Sequence, residues 1–182
     1  MKRCVLVLLS FLIFGAIGSL VSCGSSAVLS DAHRIHYAEW VLKSPKITLL
    51  RRQVSGRYDG ASSWDNVSAA ARGYRAKRSW YGNAPGGSTQ LDPRMLRAMV
   101  TLAHEGFRFE VTSIAGGSHS RNSRHYAGLA FDVGTINGQK VRYGSPDWRA
   151  FLRRCRALGA TETFGPGDRG HWSHVHVAWP RR

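Results

Sequence analysis

The chain has 182 residues, 43% of them hydrophobic and 20% charged, with 20 Gly and 6 Pro. These figures exclude a disordered tail, a collagen-like repeat and a polytopic membrane protein, and one domain of ordinary size is expected. Lys and Arg number 26 against 11 Asp and Glu, a formal charge of +15. Such a field draws nucleic acid, anionic lipid headgroups or anionic wall polymers, and composition does not choose among them.

The N-terminus narrows the choice. Lys2 and Arg3 precede an uncharged apolar run from Val5 to Val21. That run is short for a spanning helix and long enough for the h-region of a signal peptide. It ends in Leu20-Val21-Ser22-Cys23, followed by Gly24-Ser25-Ser26. This resembles a bacterial lipobox, which implies cleavage after residue 22 and lipidation of Cys23. Residues 1–22 are then a lipoprotein signal peptide and 23–30 a lipidated tether. Of the three cysteines, Cys4 lies in the leader and Cys23 at the lipobox, so Cys155 is left alone and no intrachain disulfide is expected. Loss of Lys2 and Arg3 still leaves a charge of about +13.

Along the chain, Asp31 is placed to cap a helix carrying Ile35, Ala38, Val41 and Leu42 on one face, stopped by Pro45. Ile47 to Leu50 reads as a short strand. Ser62 or Ser63 opens a second helix through Trp64, Val67 and Ala71. Residues 73–90 are rich in Gly, Ser, Arg and aromatics, and Ala84-Pro85-Gly86-Gly87-Ser88 within them reads as a loop. Asp92-Pro93 is an N-cap followed by proline at the first helical position, for a helix carrying Leu96, Met99, Val100 and Ala103 and ended by Gly106. Phe107, Phe109 and Val111 alternate with polar residues, a strand pattern. A polar loop, 115–124, precedes a strand over Ala127–Val133. Ser145-Pro146-Asp147 starts a helix with Trp148, Phe151, Leu152, Cys155 and Leu158 in register. His171–Trp179 reads as the last strand. This irregular mixture argues an α+β fold, with 31–182 as one domain.

Six of the eight histidines fall between residues 104 and 176, in two notable clusters. The first is Ser123-Arg124-His125-Tyr126-Ala127-Gly128-Leu129-Ala130-Phe131-Asp132. The second is His171-Trp172-Ser173-His174-Val175-His176. Alternation along a strand puts His174 and His176 on one face with Trp172 and Ala178, and Val175 and Val177 on the other. His125 and Asp132 converge only if the chain turns between them, and Gly128 permits that turn. A His, Asp, His set with a fourth position open is what a catalytic zinc site needs, the open position holding a water of lowered pKa. A further histidine two residues from a ligand is placed to move a proton. Alone, either cluster is an ordinary feature of a strand.

Together the clusters resemble the zinc D-alanyl-D-alanine carboxypeptidase family, in the lysostaphin and hedgehog metallopeptidase superfamily. The family pattern Ser-x-His-x-x-Gly-x-Ala-x-Asp is matched at Ser123, His125, Gly128, Ala130 and Asp132, and Trp172–Trp179 looks like the family's last strand. The resemblance covers residues 90–180. It implies a small antiparallel sheet flanked by helices, hedgehog/DD-peptidase-like. It implies Zn2+ bound by His125, Asp132 and His176, with His174 as catalytic base or transition-state stabiliser. Two positions depart from the pattern. Ser173 stands where some members carry a glutamate base, Glu162 being the nearest upstream acid. The stretch 112–117 lacks the arginine of a Tyr-Arg-Ser that holds a substrate carboxylate, a task Arg121 or Arg124, beside Ser123, could take. His119 and His171 read as surface histidines, with a place in the pocket as the alternative.

The function this implies is a zinc metallopeptidase acting on peptide stems or cross-links of peptidoglycan, of carboxypeptidase or endopeptidase type. It is expected to be monomeric and held to a membrane by its N-terminal lipid, facing the periplasm or cell exterior. The alternative is a non-catalytic, zinc-containing wall-binding lipoprotein. A nucleic-acid partner rests on charge alone and conflicts with an export leader.

Overall fold

A computed structural model describes residues 23–181. The signal peptide read over 1–22 lies outside the described residues. Among the described residues, four α-helices and two sheets form a mixed α and β fold: α1 (Cys23–Lys43), β1 (Ile47–Leu49), α2 (Ser63–Ala71), β2 (Ala76–Lys77), β3 (Ser88–Thr89), α3 (Pro93–His104), β4 (Phe109–Ser113), β5 (Ala130–Ile136), β6 (Gln139–Lys140), α4 (Trp148–Ala157), β7 (Glu162–Phe164) and β8 (Val175–Ala178). No helix among the described residues is long and apolar enough to cross a membrane.

The caps follow the sequence. Ser62 accepts a hydrogen bond from the Asp65 amide while the Asp65 carboxylate reaches back to the Ser62 amide, a capping box that starts α2. Asp92 accepts from the Arg94 amide ahead of Pro93 and starts α3. The first helix differs from expectation. Helix α1 already runs from Cys23 through the residues read as a tether, so Asp31 sits inside it and pairs with Arg34 rather than capping.

The main sheet has the order β1-β4-β5-β8-β7, with β6 on the outer part of β5. All pairs are antiparallel except β1–β4, which is parallel, a departure from the purely antiparallel sheet expected. The parallel pair arises because the chain between those strands carries α2, the β2–β3 hairpin and α3, long enough for a crossover. Strands β6 and β7 are two and three residues long, too short to show a period in sequence.

Alternation divides the sheet into two faces. Phe131 and Val133 of β5 sit opposite Val177 and Val175 of β8. These four are fully buried and join Met95, Leu96, Met99 and Leu102 of α3 and Phe151, Leu152 and Cys155 of α4 in the core. Burial pushes the Cys155 thiol far up, as its place on the apolar face of α4 requires. The other face carries Asp132 and His176, directly opposite each other.

Candidate metal centre

The floor of the site is a row across the sheet. Register pairs Ser113 of β4 with Asp132 of β5, Asp132 with His176 of β8, and His176 with Phe164 of β7. Opposite residues of antiparallel strands share a face, so neighbouring strands deliver Asp132 and His176 side by side. Glu162, two residues before Phe164, shares that face.

His125 arrives from a different structure. Residues 125–127 form one 3₁₀ turn, and β5 starts at Ala130, not Ala127. Gly128 ends the turn at φ +72°, and a Cβ there would lie 2.1 Å from the Gln90 carbonyl oxygen. The glycine therefore both permits the left-handed residue and lets the chain pass against the start of α3. That reversal brings the His125 ring over Asp132.

Three atoms meet at the centre. His125 Nε2 lies 3.2 Å from Asp132 Oδ1 and 3.0 Å from His176 Nδ1, and His176 Nδ1 lies 2.9 Å from Asp132 Oδ1. All three side chains are buried. Their outer atoms fix their tautomers. His125 Nδ1 donates to the Ile114 carbonyl at 2.6 Å, which leaves Nε2 as a lone pair. His176 Nε2 donates to Glu162 Oε1 at 3.0 Å, which leaves Nδ1 as a lone pair. With the Asp132 oxygen, three acceptors face one point with no donor among them. A cation at that point satisfies all three, and carboxylate–histidine pairing of this kind is what orients a metal-binding imidazole. The donor set therefore fits a metal ion, and two imidazoles with one carboxylate are consistent with Zn2+. Burial raises the Asp132 carboxyl, but the protonated forms of His125 and His176, which would donate to it, outweigh burial and hold it well below its ordinary value. Burial lowers His176, but the Asp132 and Glu162 carboxylates favour a proton on its ring and raise it overall, so that proton and a cation compete for the Nδ1 lone pair.

His119 is not the surface histidine expected. Its ring stacks on His125 at 3.8 Å between centroids and 9° between planes. His119, His125 and Asp132 each offer a ligand atom, all within 4.8 Å of one another. His119 Nε2, however, lies 2.9 Å from the Gly116 carbonyl, and its ring stands parallel above His125, so its lone pair is not aimed at the centre. Burial first, and the neighbouring His125, push it down to about 4, so it is neutral at pH 7.

These groups form the floor of an open cleft of about 980 Å³. His174 lines it just before β8 begins at Val175, and burial holds its pKa below the ordinary value. Trp172 does not join that face: it sits in a turn and is 66% exposed, because the strand starts four residues later than expected. His171 lines the cleft, its ring 5.0 Å from that of His174. Ser123 and Arg124 also line it, whereas Arg121 is exposed and does not. Ser123 Oγ accepts from the His125 amide at 3.3 Å. Arg124 is already engaged, with Nη1 2.8 Å from Thr161 Oγ1 and Nε 3.3 Å from Glu162 Oε2. Glu162, read from sequence only as the nearest acid, thus joins Arg124 to His176. Cys23 is the first described residue, far in sequence from all of these.

Over 73 residues, 40% of its length, the chain is 40% identical to the zinc D-Ala-D-Ala carboxypeptidase of Streptomyces albus G. The chain spans a quarter of that curated relative. Part of the chain is therefore similar to a zinc peptidase. No family model and no solved structure matches it.

Proposed function

We propose that the chain is a zinc-dependent peptidase of the cell envelope, acting on peptide stems or cross-links of peptidoglycan. The observation that carries this reading is the convergence of three buried lone pairs, from His125, Asp132 and His176, on the floor of an open cleft. The similarity to a zinc D-Ala-D-Ala carboxypeptidase supplies the reaction class, and a hedgehog/DD-peptidase-like fold belongs to the same reading. Zinc in such a site supplies a Lewis acid for the scissile carbonyl and an acidified water. His125, Asp132 and His176 would hold it. His174, neutral at pH 7 and beside the donor set, takes a proton on its ring nitrogen and returns it to the leaving amine. Glu162 is engaged by His176 and Arg124, so it orients rather than serving as a free base. Cys23 carries the lipid that holds the domain to a membrane, outside the cytoplasm and as a monomer.

A second reading, a wall-binding lipoprotein that holds zinc without turnover, is favoured by Ser173 in place of an acid and by the absence of arginine in 112–117. One experiment separates the two. Zinc content is measured, and purified wall material is incubated with the zinc-loaded protein and analysed by mass spectrometry. About one equivalent of zinc with release of stem peptides or opened cross-links is expected. Zinc without release supports the binding module, and a protein that takes up no zinc sinks both.

A further inference from the structure

One wall of the cleft is made by parts of the chain that no step above uses. Gln53, Val54, Ser55 and Tyr81 line it, from two loops between β1 and α3. Tyr58, next to Arg57 in the first loop, and Trp80, next to Tyr81 in the second, each leave 65% of their surface in solvent. Guanidinium groups flank the rings. Arg57 lies 4.4 Å over Tyr81 and 5.8 Å over Trp80, and Arg52 lies 5.8 Å over Tyr58. Trp80 and Tyr81 meet edge to face at 6.4 Å and 87°.

This surface is built, not a chance scatter of aromatics. The first loop is closed by the Gln53 amide on the Arg57 carbonyl at 2.9 Å and the Gly56 amide on the Gln53 carbonyl at 2.8 Å. The second is closed by the Gly86 amide on the Ser79 carbonyl at 2.9 Å. The Asp59 carboxylate joins them below, accepting from Gln53 Nε2 at 3.0 Å and from the Ser79 hydroxyl. Ser79 Oγ accepts in turn from the Gly117 amide at 2.8 Å, in the loop that carries His119. The aromatic rim is thus held in fixed register to the donor set. Exposed aromatics on loops tied to a cleft and flanked by guanidinium donors suit a ligand with both an apolar face and a polar edge.

We propose that this rim is a sugar-binding subsite that takes the N-acetylated glycan backbone whose stem peptide enters the cleft. The inference rests on the peptidoglycan reading above and adds where the polysaccharide lies. A pyranose ring presents a face of C–H bonds that stacks on Trp80 and Tyr58. Its equatorial hydroxyls and acetamido oxygens accept hydrogen bonds from Arg52 and Arg57. Aromatics and arginines also bind single-stranded nucleic acid, but this rim borders the donor set read above as a wall peptidase's, so the glycan is the occupant argued and nucleic acid an outcome of the test.

The probe is wall glycan stripped of its stem peptides by an amidase, titrated calorimetrically into the full chain with and without zinc. Wild type binds with or without zinc. Trp80→Ala and Tyr58→Ala, both at exposed positions, each weaken binding by about 5- to 100-fold, the loss that removing one stacking aromatic brings, with unchanged melting temperatures. Hydrolysis of a short glycan-free stem peptide stays as in wild type. A protein that binds the stripped glycan with this aromatic dependence but releases no peptide leaves the subsite standing and removes the peptidase reading. No glycan binding by wild type, or binding unaffected by both variants, overturns the subsite whatever the enzyme does. Equal binding of oligo(dT) lost in Trp80→Ala overturns it in favour of nucleic acid.

Discussion

His125 and His176 each owe their inward lone pair to an outward hydrogen bond, one to the Ile114 carbonyl and one to Glu162. That arrangement gives the residues different failures when removed. His125→Ala, Asp132→Ala or His176→Ala leaves two protein donors, so zinc should be lost with activity. His174→Ala leaves all three donors. Zinc content should hold while hydrolysis falls about 10²–10⁴-fold if His174 is the general base. Glu162→Ala should weaken zinc about 10–100-fold by freeing the His176 ring. Zinc content by mass spectrometry, beside stem-peptide hydrolysis, checks the set. Loss of zinc from His174→Ala with retention in His176→Ala would exchange their roles. At this scale it was the family resemblance that singled out His125, Asp132 and His176, and strand pairing with one glycine turn is how the chain brings their side chains together. Glu162 and His119 were not legible. The first stands on a three-residue strand without periodicity. The second is folded inward by the Gly116-Gly117 loop, where no pattern reports which way a side chain faces.

Elements were legible where a cap or a long apolar period marked them. The Asp92-Pro93 start of α3 and the Ser62 start of α2 stand as read. The last strand was not, because residues 171–174 alternate like a strand yet turn, and only tertiary pairing with β5 and β7 defines Val175 as its first residue. Gly128 shows what an element boundary contributes. Its carbonyl accepts the Asp92 amide at 2.9 Å, so the turn after His125 is fastened to the cap of α3. Gly128→Ala must place a side chain at positive φ, about 1–2 kcal/mol unfavourable, and within 2.1 Å of a backbone carbonyl. A stability loss of at least about 2 kcal/mol is expected, with weakened zinc binding because His125 moves with the turn. Urea unfolding and zinc titration measure the two effects. A variant as stable as wild type would show that the close pass against Gln90 is not maintained in solution.

At the scale of the molecule, the question is how the first half of the chain is joined to the half that carries the motifs. Composition gave no sign of the joint, because it consists of single polar residues far apart in sequence. Gln53, Asp59 and Ser79 meet beneath the cleft wall, and Ser79 accepts the Gly117 amide of the motif half. Asn66 adds a second tie, its Oδ1 accepting from the Ala115 amide at 2.7 Å. Gly116 fits between the halves because a Cβ would lie 2.0 Å from the Ala61 carbonyl oxygen. The Asp59 carboxylate is the shared acceptor of the first group. Burial raises its pKa, but the hydrogen bonds from Ser79, Gln53 and the Ala61 amide, with the charge of Lys77, hold it below its ordinary value. A carboxyl whose folded value is depressed stabilises the fold above its unfolded pKa of about 3.9, and that contribution is lost as pH falls through the folded value. Asp59→Asn removes the charge and puts an amide donor among donors. At pH 7 its melting temperature should lie a few degrees below wild type. The gap should stay constant down to about pH 5 and narrow below about pH 4, where wild type takes up the proton that Asn mimics. Paired thermal melts of the two proteins from pH 3 to 7 read this directly. A gap that persists unchanged at pH 3 would mean that the charge of Asp59 is not what joins the halves.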